Sequence, residues 1–203
     1  IKLINTLLSS AKLEGNRIEI NPEKVDIVGE IDMAIHGHEV DAKDKGIELI
    51  NLVDSETPSI YADHARIIEV LNNLVDNAIK YTEEGSVTII AKYDESNVTV
   101  SVVDTGEGIK EDDIKKLGQK FYRVGNYLDD EAGKPDIVRP GGTGLGLYVT
   151  FGLVEKMGGK MEVTSKIGEG SSFSFTLPRY KGQILNANGT KSNNMFERLG
   201  LKR

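Results

Sequence analysis

Apolar residues recur at helical spacing from the first position: Ile1, Ile4, Leu8 and Ala11 share one edge, with Leu3 and Leu7 beside them. This a/d-like spacing predicts the end of a longer coiled or bundled helix. Gly15-Asn16 breaks it, and the alternation in Arg17-Ile-Glu-Ile20 predicts a short strand. Asn21-Pro22 then opens a turn into a helix over Glu23–Lys45. Strands follow over Ile47–Val53 and Ser59–Ala62, and Asp63 has the side chain to N-cap a helix reaching Tyr81. Two alternating runs, Ser86–Tyr93 and Val98–Val103, flank Asp94-Glu-Ser-Asn97 and predict an antiparallel hairpin. Short helical pieces are expected over Glu111–Leu117 and near Phe121, a longer helix over Gly144–Met157, and strands over Lys160–Ser165 and Ser171–Leu177. Clustered helices with a mixed, mostly antiparallel sheet predict an α+β fold, a two-layer sandwich with its helices on one face.

Two stretches escape this periodicity. Gly125 to Gly141, about 17 residues rich in glycine, proline and charge, has the length of a binding loop or lid rather than an inert connection. Beyond residue 180 a tail carries Met195, Phe196, Leu199 and Leu201 among the basic Lys191, Arg198, Lys202 and Arg203, and its sequence does not decide its role.

Composition narrows the classes. A chain of 203 residues has room for one domain with appendages. The formal net charge of −7 argues against a nucleic-acid binder. An anionic ligand must therefore be held by backbone dipoles, a few cations and a metal. No apolar run approaches the roughly 20 residues of a membrane helix. The absence of cysteine excludes disulfides and thiolate metal sites. Asn97-Val-Thr99 and Asn188-Gly-Thr190 fit the glycosylation pattern, one common by chance.

The chemistry concentrates on the helix that ends at Tyr81. At about 100° per residue, Glu69, Asn73, Asn77 and Lys80 fall in one stripe. Ile67, Leu71, Leu74 and Ala78 supply its buried side. An Asn carbonyl is a neutral oxygen ligand suited to Mg²⁺, and a Lys is a point charge suited to phosphate. Taken alone, the stripe is equally a solvated helix face. Val102-Val-Asp-Thr-Gly-Glu-Gly-Ile109 ends a strand in an acid and two glycines. The Asp104 carboxylate is able to accept from an exocyclic amino group such as that of adenine, and Gly106 and Gly108 let backbone approach a flat ring. Gly142-Thr-Gly-Leu-Gly146 precedes a helix, whose N-terminus offers unpaired N–H groups to phosphate. Its spacing is neither that of a Gly-x4-Gly-Lys loop nor that of a dinucleotide fold.

These segments resemble the catalytic ATP-binding domain of sensor histidine kinases, in the superfamily that includes gyrase, Hsp90 and MutL. Asn73-Leu-Val-Asp-Asn77-Ala-Ile-Lys80-Tyr81 is similar to its N box, Asp104-Thr-Gly-Glu-Gly108 to the G1 box, Phe121-Tyr-Arg-Val124 to the F box and Gly142-Thr-Gly-Leu-Gly146 to the G2 box. Gly158-Gly159 and Gly168-Glu-Gly170-Ser-Ser-Phe173 match the closing strands, so the likeness runs over about residues 20 to 178.

The resemblance implies the Bergerat type of sandwich, with ATP and Mg²⁺ as ligands. It divides the chain into the end of a dimerisation helix with its linker (1–20), the catalytic domain (21–180) and the tail (181–203). Asn77 would ligate the metal with Asn73 close by, Lys80 would contact phosphate, and Tyr81 would pack near the adenine. Asp104 would bind the adenine amino group beside Gly106, Gly108 and Ile109. Gly142, Thr143, Gly144, Leu145, Gly146 and Leu147 would follow the phosphates, and Arg123, with Phe121 and Tyr122, would approach the γ-phosphate. Asn73, Asn77, Lys80 and Arg123 would carry the transfer, beneath a lid that orders over bound triphosphate.

In the hydrolytic relatives a Glu one turn before the metal-binding Asn activates water. Asn73, an amide, cannot act as that base. A histidine acceptor whose attacking nitrogen is already neutral needs no proton removed, and Glu69 is left as a fallback base.

The acceptor histidine of such kinases lies on a preceding helix, and neither His36, His38 nor His64 matches its motif; each reads as a surface or partly packed residue. The implied function is donation of the ATP γ-phosphate to a histidine outside this chain. The partners would be the dimerisation domain and a response regulator. The location would be cytoplasmic with no direct membrane contact, an upstream membrane anchor being left open. The fragment is expected to be monomeric and its parent homodimeric. The alternatives are an ATPase of the same superfamily and a nucleotide-responsive binding module without turnover.

Overall fold

The computed structural model describes residues 2–124 and 143–182. The expected lid, Gly142 and residues 183–203 of the tail lie outside the described residues. Helix α1 (Lys2–Glu14) is followed by strand β1 (Glu23–Val25), helix α2 (Ile27–Lys45), and strands β2 (Ile47–Asn51) and β3 (Ile60–Ala62). Helix α3 (His64–Tyr81), the hairpin β4 (Gly85–Tyr93) and β5 (Asn97–Asp104), and the short α4 (Glu111–Ile114) come next. Helix α5 (Gly146–Lys156) and strands β6 (Lys160–Lys166) and β7 (Gly170–Pro178) complete the set.

Five strands form one mixed sheet in the order β2-β4-β5-β7-β6. Only β2 and β4 run parallel, and the other neighbours are antiparallel. Strand alternation sorts the side chains. Val98, Val100 and Val102 stand opposite Leu177, Phe175 and Phe173, and all six are buried against the helix layer. The other face carries hydroxyl pairs, Thr99 with Thr176 at 2.8 Å and Ser101 with Ser174 at 2.7 Å. The core is completed by Ile67, Val70, Leu71, Leu74 and Val75 of α3 and by Leu153 and Val154 of α5. The two-layer α+β sandwich is thus as expected.

Three local expectations are corrected. Residues 17–20 form no strand; Ile18 is tucked into the core, and that burial produces the alternation without a pairing partner. The strand lies instead at Glu23–Val25, antiparallel to β3 with Val25 opposite Ile60, and α2 begins only at Ile27. Around Phe121 the chain makes turns rather than a helix. Phe121 has a left-handed φ of 63° and its N–H donates to the Gly144 carbonyl at 3.1 Å, so the segments on either side of the lid meet there. Gly144 has φ 68°, and a Cβ on it would stand 2.7 Å from the Phe121 carbonyl carbon. That contact delays the start of α5 from Gly144 to Gly146.

Candidate nucleotide-binding site

Helix α3 starts as its sequence requires. Asp63 has extended backbone, its Oδ1 accepts from Arg66 N at 3.2 Å, and its Oδ2 accepts from Asn21 N at 2.9 Å. At the other end, Lys45 from the last turn of α2 donates to the carbonyls of Ile79, Lys80 and Thr82 at 2.8, 3.0 and 3.0 Å. One ammonium thus satisfies carbonyls at the negative end of α3 and fixes the turn bearing Lys80 and Tyr81. Lys80 Nζ stands 4.8 Å from the centre of the Tyr81 ring.

Along α3 the stripe faces a cavity of about 560 Å³, lined by Asn73, Asn77, Lys80 and Tyr81 and, from the same helix, Asp76. His38 on α2 ties Asp76 down: its Nε2 lies 3.0 Å from Asp76 Oδ1 and its Nδ1 2.7 Å from the Ala34 carbonyl. Glu69, the first residue of the stripe, does not line the cavity. Its two carboxylate oxygens accept from Ser9 of α1 at 2.9 Å and from Arg66 at 3.2 Å.

Asp104 closes one end of the cavity. Its Oδ1 accepts from Gly106 N at 2.9 Å and from Ser171 N at 3.1 Å, while its Oδ2 takes no hydrogen bond among the described residues. Burial raises the Asp104 pKa above the usual carboxylate value, and the two backbone hydrogen bonds only partly offset that rise. Ser171 and Phe173 of β7 line the cavity beside it. Ser165 secures this corner: its hydroxyl lies 3.0 Å from that of Ser171 and accepts from Ile109 N at 2.8 Å.

The opposite end is built by α5. Gly146 and Leu147 reach the cavity from its first turn, with Thr143 and Gly144 before them, and the Leu145 N–H donates to Thr143 Oγ1 at 3.3 Å. A Cβ on Gly146 would overlap Asn73 Oδ1, so glycine there lets α5 close onto α3. Across that contact Asn73 Nδ2 donates to Thr150 Oγ1 at 2.8 Å.

Most of the expected site residues are therefore gathered in one place. Gly108, Ile109, Tyr122 and Arg123 also line the cavity, the Tyr122 hydroxyl donating to Asp113 at 2.6 Å. Three expected residues stand off the wall. Gly106 sits behind Asp104, Leu145 is fully buried, and Phe121 is largely exposed. Asp76, Leu117, Ser171 and Phe173 are wall residues that sequence reasoning missed. Asp76 was within reach as the neighbour of Asn77. Ser171 and Phe173 come from a strand 67 residues and more beyond Asp104, and their place in an alternating run and in the Gly168–Phe173 match did not assign them to the site.

Among the described residues no cluster of three or more His, Asp or Glu could hold a metal, and no helix is long and apolar enough to cross a membrane.

An α/β sandwich whose cavity lies between an amide-bearing helix, a strand ending in a buried acid and a glycine-led helix defines a narrow class of proteins. Residues 62–181 match the family described as histidine kinase-, DNA gyrase B- and HSP90-like ATPases. The chain belongs to that family. It is 34% identical over 185 residues to the sensor histidine kinase GacS of Pseudomonas protegens, covering 87% of this chain and 19% of GacS. With the aerobic respiration control sensor protein ArcB of Escherichia coli it shares 31% identity over 177 residues, covering 86% of this chain and 22% of ArcB. The chain thus spans about a fifth of the length of these curated relatives. Among solved structures, full-length ShkA in complex with AMPPNP superposes with a TM-score of 0.76 at 31% identity, over 89% of this chain and 36% of that one. A nucleotide-free catalytic domain of histidine kinase ThkA superposes with a TM-score of 0.65 at 27% identity, over 80% of this chain and 99% of that one. The fold is that of a sensor histidine kinase catalytic domain.

Proposed function

We propose that this chain binds ATP and donates its γ-phosphate to a histidine on a dimerisation domain of the same protein. The reading rests on one observation: the cavity has an acceptor carboxylate at one end and a helix N-terminus beside Asn73 at the other, with Asn77 and Lys80 along the α3 wall. The adenine amino group would donate to Asp104 Oδ2, the oxygen left by Gly106 and Ser171. Gly108 and Ile109 would lie along the ring, and Tyr81 near it. The phosphates would follow the first turn of α5, where free N–H groups and the dipole favour negative charge, with Lys80 supplying a full charge. Arg123 is the further cation at that wall.

The donor set fits Mg²⁺. With no acidic cluster among the described residues, the ion would be held by the neutral Asn77 carbonyl and by oxygens of the triphosphate itself. When bound, Mg²⁺ neutralises charge developing on the phosphoryl oxygens. The residues of this chain position the nucleotide, and neither position weighed as a base in the sequence serves as one. Asn73 is an amide, and Glu69 is turned away toward Ser9 and Arg66. That favours transfer to a neutral imidazole over hydrolysis of water.

Ile4 and Leu8 on α1 are exposed, as expected for half of a helical hairpin. The whole protein would then act as a homodimer in the cytoplasm and pass its phosphate to a response regulator. Titration calorimetry of the chain with Mg²⁺ and ATP, then labelled transfer to a separately supplied dimerisation domain, tests this reading. Asn77→Ala is expected to abolish measurable Mg²⁺-dependent affinity. Full affinity in that variant, or no labelling with ATP bound, would overturn it.

A further inference from the structure

We infer that Thr150 is a positioning residue for the phosphate end of the cavity, setting the direction of the Asn73 amide and the register of α5 against α3. This inference rests on the nucleotide reading above. Thr150 lies one helical turn beyond Gly146, on the same face of α5. It is 1% exposed, so its hydroxyl has little access to solvent. Asn73 enters the gap between the two positions. Its Nδ2 donates to Thr150 Oγ1 at 2.8 Å, and its Oδ1 is packed at the place where a Gly146 side chain would begin.

The two ends of one amide are thereby assigned by two residues of one helix. Gly146 provides room for the oxygen, and Thr150 provides a partner for the nitrogen. Asn73 and Gly146 both line the cavity, one turn of α3 from Asn77 and at the first turn of α5. A change in the amide therefore moves the phosphate-facing turn relative to the metal-binding amide, and leaves the Asp104 end alone. Valine matches threonine in shape but removes the acceptor, stranding a buried Nδ2. Serine retains it.

The experiment uses the full chain with Thr150→Val, Thr150→Ser, Asn73→Ala and the Asn73/Thr150 double variant. It compares affinities for Mg²⁺·AMPPNP and Mg²⁺·ADP, together with the Asn73 side-chain amide resonances of the nucleotide-free chain. Thr150→Val is expected to weaken AMPPNP about 10-fold and ADP less than about 3-fold, the loss of one buried hydrogen bond felt mainly by the terminal phosphate. Thr150→Ser should stay within about 2-fold of wild type, and Thr150→Val should add less than about 2-fold in the Asn73→Ala background, because it acts through that amide. The Asn73 amide resonances should shift in Thr150→Val before any nucleotide is added. Equal losses for both nucleotides, an undiminished effect without Asn73, or unmoved amide resonances would overturn the role of Thr150 while wild-type binding persists. A wild-type chain that binds neither nucleotide overturns the nucleotide reading itself, and this inference with it.

Discussion

The two ends of the cavity are held by different kinds of bond. At the Asp104 end the fastenings are mainly backbone and sheet: the carboxylate accepts from backbone N–H groups of Gly106 and Ser171, β5 pairs with β7 along its whole length, and the Ser165 hydroxyl adds to them. At the Asn73 end the fastenings run between two helices, through one amide, one hydroxyl and the room left by a glycine. Sheet ladders are cooperative and insensitive to a single side chain, whereas a contact between helices depends on each side chain that sets their spacing. The adenine end should therefore be rigid before ligand arrives. The phosphate end should be the adjustable one.

After Asn77→Ala, the most damaging change should be Asp104→Ala. It removes the acceptor proposed for the adenine amino group and leaves the Gly106 and Ser171 N–H groups without their partner. The expected loss is roughly 100-fold in ATP affinity, the scale of a charge-assisted hydrogen bond plus stranded donors. ADP and AMPPNP should lose equally, since the damage lies at the end they share. A loss confined to AMPPNP would break the comparison of the two ends.

Gly146→Ala probes the helix-to-helix end. The new methyl would overlap Asn73 Oδ1 and push α5 from α3, with an expected loss of about 10-fold for AMPPNP and less for ADP. Combining it with Asn73→Ser, which shortens the side chain, should recover part of that affinity. Competition binding of the two nucleotides checks both statements. Failure of the pair to recover anything would mean that the glycine matters for its own backbone and not for its contact with Asn73.

The same contrast decides what could be read from the sequence. The stripe Asn73, Asn77 and Lys80 was legible because helical periodicity is local, and Asp104 because a strand ending in an acid and glycines is local too. The hairpin β4–β5 and the buried faces of β5 and β7 followed from strict alternation. Residues 17–25 were misread, because Ile18 is buried without a neighbouring strand while Val25 takes its partner from Ile60, far along the chain. Ser171 and Thr150 were invisible for a related reason. Each meets its partner across a tertiary contact, 67 residues from Asp104 and 77 from Asn73, and neither residue type stands out in its own segment. In the sequence Lys45 marked only the end of a helix. Only the fold shows that it serves the C-terminus of a different helix.

That assignment makes Lys45→Met a test lying between the two ends. It removes three hydrogen bonds from the turn carrying Lys80 and Tyr81 but keeps the aliphatic stem. Thermal denaturation should show a loss of about 1–3 kcal/mol, a shift of several degrees for a domain of this size. ATP affinity should fall only about 3-fold, because the neighbouring Thr82 hydroxyl still donates to Ala78 O at 2.7 Å and holds the end of α3. A stability unchanged from wild type would deny the ammonium its capping role.

The smallest expected effect is one of pH, and it is confined to the adenine end. Burial raises the Asp104 pKa in the free protein, and an adenine amino group is accepted best by the ionised form. A bound amino group therefore draws that pKa down, and binding releases protons in the window between the two values. Affinity should be flat at neutral and alkaline pH. It should decline as pH falls through the raised free-state pKa, by no more than about 10-fold per unit below it. The decline therefore begins above the range in which an ordinary aspartate titrates. Calorimetry in two buffers of different ionisation heat counts the released protons. Asp104→Asn separates them from those of the nucleotide's own phosphates, because an amide releases none. A proton count in Asp104→Asn equal to that of wild type would place the titration in the phosphates and leave the raised carboxylate without a part in binding.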